Sequence, residues 1–335
     1  MSAEHISRRE FLSRSATAGL GLLLSSTIGR IQPAWSSEIG SYDIVIGSDT
    51  HIGYQGATAS MESFVTDVTQ NLKPEEVFCL GDLVHNATLQ EYQEYRELRD
   101  SLSVPVWECP GNHDHAPGLS NEENLARFRE EVGCDNHFYS HLLGNSIFIF
   151  LSDDRQKNLP AGLSYAGYME PEQVTWFEDV VKTNQDKNVI VLSHQSPKDT
   201  TVMSEQPNMQ MHPTDEIDRI LNMYRVDLWL SAHAHSGFNH KSAQEDMFVT
   251  KGPTTFVQVA SVCECYDTGK TESRLVSLVE GSQEVLIRSR DHDTQTFDES
   301  LDTVVSLFYP VTMATTAVDL VGKSVATWGR VRAAR

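Results

Sequence analysis

From residue 43 onward the sequence predicts an α/β protein built around a largely parallel sheet. Short apolar runs of strand length alternate with amphipathic stretches of helix length, the pattern left by β-α-β units whose strands are covered on both faces. The first three runs also end on polar motifs spaced at about thirty residues, the length of one such unit. A chain of 335 residues, 39% of them hydrophobic and 22% charged, has the size and composition for a full core.

Taken in order, Asp43-Ile44-Val45-Ile46-Gly47 reads as the first strand and Ser60 to Leu72 as an amphipathic helix. Val77 to Leu80 is the next strand, Leu89 to Leu102 a helix, and Val104 to Cys109 a third strand. The middle changes character. Asn121 to Glu131 reads as a helix, and His137–Ser140 with Ile147–Leu151 as an antiparallel pair. Pro171 opens a helix to about Lys182, at the first-turn position where its missing N–H costs nothing. Val189 to Leu192 is a strand, Thr214 to Tyr224 a helix, and Leu228 to Leu230 a strand. After Gly237 only strands are expected, at Met247–Thr250, Thr255–Ala260, Leu275–Val279 and Val285–Arg288. Residues 40–292 are therefore taken as one domain and 293–335 as a C-terminal extension of unassigned role. The apolar stretch Val304–Val318 contains Pro310 and several threonines, so it is not read as a membrane span.

Residues 1–37 read as an address rather than as fold. Ser7-Arg8-Arg9-Glu10-Phe11-Leu12 resembles the twin-arginine export motif, and the apolar run Ala16–Ile28 behind it is too short to cross a bilayer. The resemblance implies a protein handed folded to the twin-arginine export machinery and delivered to the periplasm or beyond the cell, with no stable membrane span once mature. Five cysteines, without the spacing of a disulfide framework, fit buried free thiols. The 47 acidic residues against 26 basic ones give a net charge of -21, which repels phosphate backbones and argues against a nucleic-acid duplex as partner. A small anionic ester remains compatible, because bound metal ions reverse the local field.

Five motifs fall at or just past predicted strand ends: Asp49-Thr50-His51, Gly81-Asp82, Gly111-Asn112-His113-Asp114, His194, and His233-Ala234-His235. In an open α/β sheet that placement gathers distant side chains at the carboxyl edge, where ligands bind. Carboxylate, amide and imidazole donors together suit divalent ions such as Mn, Fe, Co or Zn. A single such histidine is more often a structural one; five in motif context favour a metal site. His85 and His115 adjoin the motifs as outer-shell possibilities. Asp153-Asp154, after an apolar strand, reads as a solvated turn. The aperiodic stretch Gln195–Pro213 follows a predicted ligand and either overhangs the site, helping to select the substrate, or is a surface loop whose methionines pack on its own base.

The ordered set resembles the calcineurin-like metallophosphoesterases, whose pattern is D-x-H, G-D, G-N-H-D, H, then G-H-x-H; the likeness spans roughly residues 43–240. The first Gly of the last motif is Ala232 here, a departure that would strain the backbone if the position needed a positive φ. The resemblance implies a four-layer α-β-β-α sandwich of two mixed sheets with a dinuclear metal site at the strand C-terminal edge. It implies Asp49, His51 and His235 on the first metal, Asn112, His194 and His233 on the second, and Asp82 bridging the two. It further implies in-line attack on phosphorus by a metal-bridging hydroxide, with His113 assisting the leaving group and Asp114 orienting His113. The D-x-H opening is similar to that of phosphodiesterases acting on cyclic nucleotides and glycerophosphodiesters. Purple acid phosphatases instead carry D-x-G and a tyrosine after Gly-Asp, where Leu83-Val84-His85-Asn86 stands here. A phosphodiesterase is thus the first reading, with a phosphomonoesterase and a non-catalytic scaffold of the same fold as alternatives.

Overall fold

The computed structural model describes residues 41–154, 163–237, 247–263 and 269–313. The expected export signal, His240 and Cys265 lie outside the described residues. The first unit runs β1 (Ser41–Gly47), α1 (Ala57–Asp67, continued by a π turn at Val68–Leu72), β2 (Glu76–Cys79), α2 (Leu89–Arg99) and β3 (Val106–Glu108). Next come α3 (Asn121–Val132), the hairpin β4 (Tyr139–Leu143) and β5 (Ser146–Phe150), the short β6 (Gly167–Tyr168) and α4 (Pro171–Thr183). The chain continues through β7 (Asn188–Ser193), β8 (Met211–His212), α5 (Thr214–Met223), β9 (Leu228–Ser231), β10 (Phe248–Lys251) and β11 (Thr254–Gln258). It closes with β12 (Glu272–Val279), β13 (Glu284–Asp291), β14 (Thr296–Phe297) and β15 (Thr303–Ser306). Among the described residues no helix is long and apolar enough to cross a membrane.

Apart from the parallel pair β6–β8, these strands form two mixed sheets. One has the order β14-β13-β12-β1-β2-β3 with β15 also on β13; the other is β10-β11-β9-β7-β5-β4. The period-2 alternation of strand side chains explains the four layers. Ile44 and Ile46 of β1 point into a core shared with Phe148, Phe150, Ile190, Leu192, Leu228 and Leu230 of the other sheet. Val45 between them points the opposite way, to Phe64 of α1 and Tyr92 and Tyr95 of α2. On the far side, Ile149, Val191 and Trp229 pack on Phe177 of α4 and Ile217 and Ile220 of α5. Each sheet is thus covered twice, as the continuous apolar runs demand.

Helix boundaries follow local chemistry. Thr88 and Ser120 each form a capping box, with Glu91 and Glu123 returning the bond, and Pro171 opens α4. The fold does not stop at residue 292. Thr303–Ser306 pairs with β13, and Leu307 and Val311 join the inter-sheet core, so residues 296–313 of the expected extension are built into the sandwich. Residues 314–335 lie outside the described part.

Candidate metal centre

β1, β2 and β3 run parallel in one sheet and β7 and β9 in the other, so the loops leaving their carboxyl ends meet along one edge. Those loops carry the five motifs. Their backbones interlock: Asp49 N–H donates to Gly81 O at 3.0 Å, His51 N–H to Asp82 O at 2.9 Å, and Ala232 N–H to His194 O at 2.8 Å. The approach is too close for side chains at two points. A Cβ on Gly81 would lie 2.6 Å from Gly111 N, and one on Gly111 would meet Asp82 Oδ1 and come within 2.8 Å of His194.

The price of this convergence is left-handed backbone. Asp49, His51, Asp82, His233 and His235 have φ between 44° and 69°, half of the ten non-glycine residues with positive φ among those described. Each such residue costs on the order of 1 kcal/mol, a concentration that marks a functional edge rather than a stability device. Ala232 is not among them, so the departure from the family's glycine carries no strain here; the turn is taken by the two histidines instead.

The donor atoms gather into two overlapping groups, Asp49–His51–Asp82–His235 and Asp82–His194–His233, with all ligating atoms of a group within 4.8 Å of one another. Asp82 belongs to both. Its Oδ2 lies 3.1 Å from His194 Nε2 and 3.5 Å from His51 Nε2. Asp49 Oδ1 is 3.1 Å from His235 Nε2. Two pairs of imidazole nitrogens face each other, His51 Nε2 and His235 Nε2 at 2.9 Å, and His233 Nδ1 and His194 Nε2 at 3.2 Å. Imidazole and carboxylate donors brought this close to one another form the kind of cluster that a cation is held by. His194 Nδ1–H donates to Leu80 O at 2.7 Å, which turns Nε2 into the cluster and fixes the ring. The donor set fits a divalent cation.

Electrostatics agrees. Burial pushes both aspartates up, but His235 and His194 pull Asp49 well below the usual carboxylate range, and His194 does the same for Asp82. Burial pulls His194 down, yet the Asp82 and Asp49 carboxylates outweigh it and raise this histidine to about 10. Burial lowers His51 to about 4 and, with the neighbouring His194, His233 to about 3. The two carboxylates and the imidazoles of His194 and His235 thus favour each other's charged forms, and a bound cation would supply the same positive charge.

His113 stands beside this cluster. Its N–H donates to Asp82 Oδ1 at 2.7 Å, and its ring lies 4.6 Å from that of His51, nearly perpendicular. Ring Nδ1 must donate to His85 O, 2.8 Å away, because a carbonyl only accepts. That assigns Nε2 as the atom left for proton exchange. The orienting partner is thus a backbone carbonyl, not Asp114 as expected. Asp114 is buried and accepts from the N–H groups of Gly111 at 2.8 Å, Leu83 at 3.1 Å and Val84 at 3.3 Å. It ties the Gly-Asp loop to the Gly-Asn-His-Asp loop, acting on the site through the backbone; burial and the Asp82 charge push its carboxyl up.

Of the two neighbouring histidines, His85 enters the site and His115 does not face it. The His85 ring stacks on His113 at 5.0 Å, and its Nδ1 is 3.4 Å from His51 Nδ1. Tyr54, half exposed, continues this aromatic row outward. His115 is buried and donates from Nε2 to Asp153 O. The Asp153-Asp154 pair is not a solvated turn. Both residues are fully buried, because Asp153 accepts from Tyr168 N–H and Gln195, and Asp154 from Glu170 N–H and Gln173. Gln195 itself carried no sequence signal beyond its place after His194.

The motif order, the two sheets and the shared carboxylate edge meet in one known group of proteins, and residues 42–237 match the calcineurin-like phosphoesterase family. The chain belongs to that family. A probable glycerophosphodiester phosphodiesterase of Arcobacter nitrofigilis is 31% identical over 163 residues, 46% of this chain and 57% of that protein. A 3',5'-cyclic-nucleotide phosphodiesterase of Nostoc sp. is 24% identical over 209 residues, 61% of this chain and 72% of the relative. The matched part of the chain thus spans little more than half the length of the Arcobacter protein. Among solved structures, the anchor protein GAP50 of the Plasmodium inner membrane complex superposes with a TM-score of 0.55 at 10% identity, over 82% of this chain and 90% of that one; this likeness concerns the fold alone. In this calcineurin-like phosphoesterase, the residues expected as metal ligands from the D-x-H, Gly-Asp, final His and H-x-H motifs all fall in the two donor groups. Asn112 lies beside them, buried, its Oδ1 bonded to Gln195.

Proposed function

We propose that the protein is a metal-dependent phosphodiesterase. The observation that carries this reading is the pair of buried donor groups sharing Asp82. On this reading Asp49, His51 and His235 would hold one divalent transition-metal ion, Asn112, His194 and His233 would hold a second, and Asp82 would serve both. Mn, Fe and Zn all suit these donors. Two such ions, when bound, polarise the phosphate oxygens and make a water molecule nucleophilic at neutral pH.

The chain's own residues supply the rest. The buried walls exclude bulk water, which strengthens every charge interaction with the bound ester. His113, anchored through Nδ1 to His85 O, presents Nε2 and in its imidazolium form gives a proton to the departing alcohol oxygen. The diester preference draws on the D-x-H opening, the residues after Asp82, and the phosphodiesterase names of the relatives. A small phosphate ester is the substrate class.

The decisive comparison is hydrolysis of bis-p-nitrophenyl phosphate and of p-nitrophenyl phosphate by Mn-loaded and by EDTA-stripped protein. Faster, metal-dependent cleavage of the diester is the expected result. Faster cleavage of the monoester makes the protein a phosphatase on the same site, and cleavage of neither makes it a scaffold. We also propose export by the twin-arginine route on the strength of Arg8-Arg9. Replacing both by Lys is expected to trap the protein in the cytoplasm on fractionation; unchanged distribution removes the proposal.

A further inference from the structure

Of the seven expected ligands, Asn112 is the one whose donor is not dictated by its own chemistry. A carboxamide presents either an oxygen that can ligate a cation or an NH2 that cannot, and a half-turn exchanges them. The structure contains a device that makes the choice. Gln195, wholly buried, donates from Nε2 to Asn112 Oδ1 at 3.0 Å. The same Nε2 lies 3.3 Å from Asp153 Oδ2 and 3.3 Å from Tyr165 O. The Asp153 carboxylate and the Tyr165 carbonyl can only accept, so these two fix the Gln195 amide with its NH2 facing them, and that NH2 can then only meet an oxygen of Asn112. The contact thereby sets which of the two Asn112 amide atoms is the oxygen.

The device is braced from behind. A Cβ on Gly167 would run into Gln195 Oε1 and come within 2.7 Å of its Cδ, so β6 is kept bare where the amide rests. Gly167 N–H donates to Gln210 O and Met211 N–H to Ser196 O, clamping the backbone beside Gln195 through the β6–β8 pairing and the Ser196–Gln210 bridge. The base of the 195–213 segment is therefore built to hold one side chain.

We propose that Gln195 is a positioning residue for the second metal, holding Asn112 with its oxygen presented as the ligand. The proposal rests on the two-metal reading above. It is tested on the metal-free full chain by titrating Mn(II) and following the free ion by electron paramagnetic resonance, with a melting curve of each metal-free variant. Wild type takes up two ions. Gln195→Leu keeps the affinity of the first and weakens the second by about 10–100-fold, the usual effect of losing an outer-shell partner. Gly167→Ala, which pushes on Gln195 without touching Asn112, shifts the second affinity in the same direction, and it decides the matter alone should Gln195→Leu not fold.

A second affinity unchanged in the folded variants overturns the assignment, as does a parallel loss at both sites with a lowered melting temperature, which is a merely structural role. A wild type that binds a single ion overturns the two-metal reading and this assignment with it. Two ions in wild type with indistinguishable variants overturn this assignment alone.

Discussion

The two ends of the central sheets are built on opposite terms. At the carboxyl ends of β1, β2, β7 and β9, five residues accept left-handed backbone, and imidazole nitrogens face each other at 2.9 and 3.2 Å beside two buried carboxylates. At the amino ends of β5, β7 and β9, the segment 307–313 is bonded to residues of both sheets. Asp227 accepts from Val189 N–H at 2.7 Å and Phe308 N–H at 3.0 Å. Asn188 exchanges bonds with Tyr309, and Asn145 receives Thr312 N–H while donating to Pro310 O. One end gathers strained backbone and ligating side chains; the other commits its polar groups to closing the fold. Mutations at the two ends should therefore separate activity from stability.

The largest effect is expected at the site end. His113→Ala should lower turnover of the diester by about 10²–10⁴-fold while metal content and melting temperature stay as in wild type. Loss of metal in that variant would make His113 a ligand and erase the division of labour. Next comes Asp67, whose carboxylate joins α1 to β13 through Arg290 at 2.6 and 2.7 Å and His292 at 2.8 Å. Burial raises this carboxyl, but the bonds from Arg290 and His292 outweigh it and hold it well below the usual range. A depressed native pKa means stability that is full above the unfolded value, near 3.9, and lost as pH falls toward the native one. Asp67→Asn should cost about 3 kcal/mol at pH 7 and flatten the loss of stability below about pH 4, both read from urea melts across pH.

At the closing end, Asp227→Ala removes the acceptor of two backbone bonds and should cost about 2 kcal/mol in the same melts, with turnover per folded molecule unchanged. The smallest effect belongs to Val311→Ala, a buried methyl pair in the inter-sheet core, at about 1–2 kcal/mol. A drop in turnover per folded molecule for either variant would show that the two ends are coupled and that the contrast is too simple.

Much of this was legible before folding. The strand run Val189–Leu192 and the helix signal at Pro171 are local, and both elements appear within a residue of their predicted bounds. The motif residues were legible because each sits where a parallel strand must end. Asp153-Asp154 was misread because a pair of aspartates after a strand has no local feature that announces burial; the N–H groups that keep it buried come from residues 15 and 16 positions later. Asp114 was placed by resemblance on His113, whereas its bonds go to three backbone groups. The boundary at 292 failed to anticipate β15 because four residues, Thr-Val-Val-Ser, carry too little pattern to be told from a linker.

By itself the sequence determined the α/β class, the order of its elements, the alternation that makes each sheet two-faced, and the set of carboxylates and histidines at strand ends. All of these follow from short-range periodicity and side-chain chemistry, which survive in the unfolded chain. Only the tertiary structure decided that Asp82 stands between two donor groups, that Gln195 holds Asn112 across 83 positions, and that residues 307–313 close the far end. Those are contacts between segments distant in the chain. Their existence depends on how two sheets pack, and packing is a property of the whole core that no local spacing records.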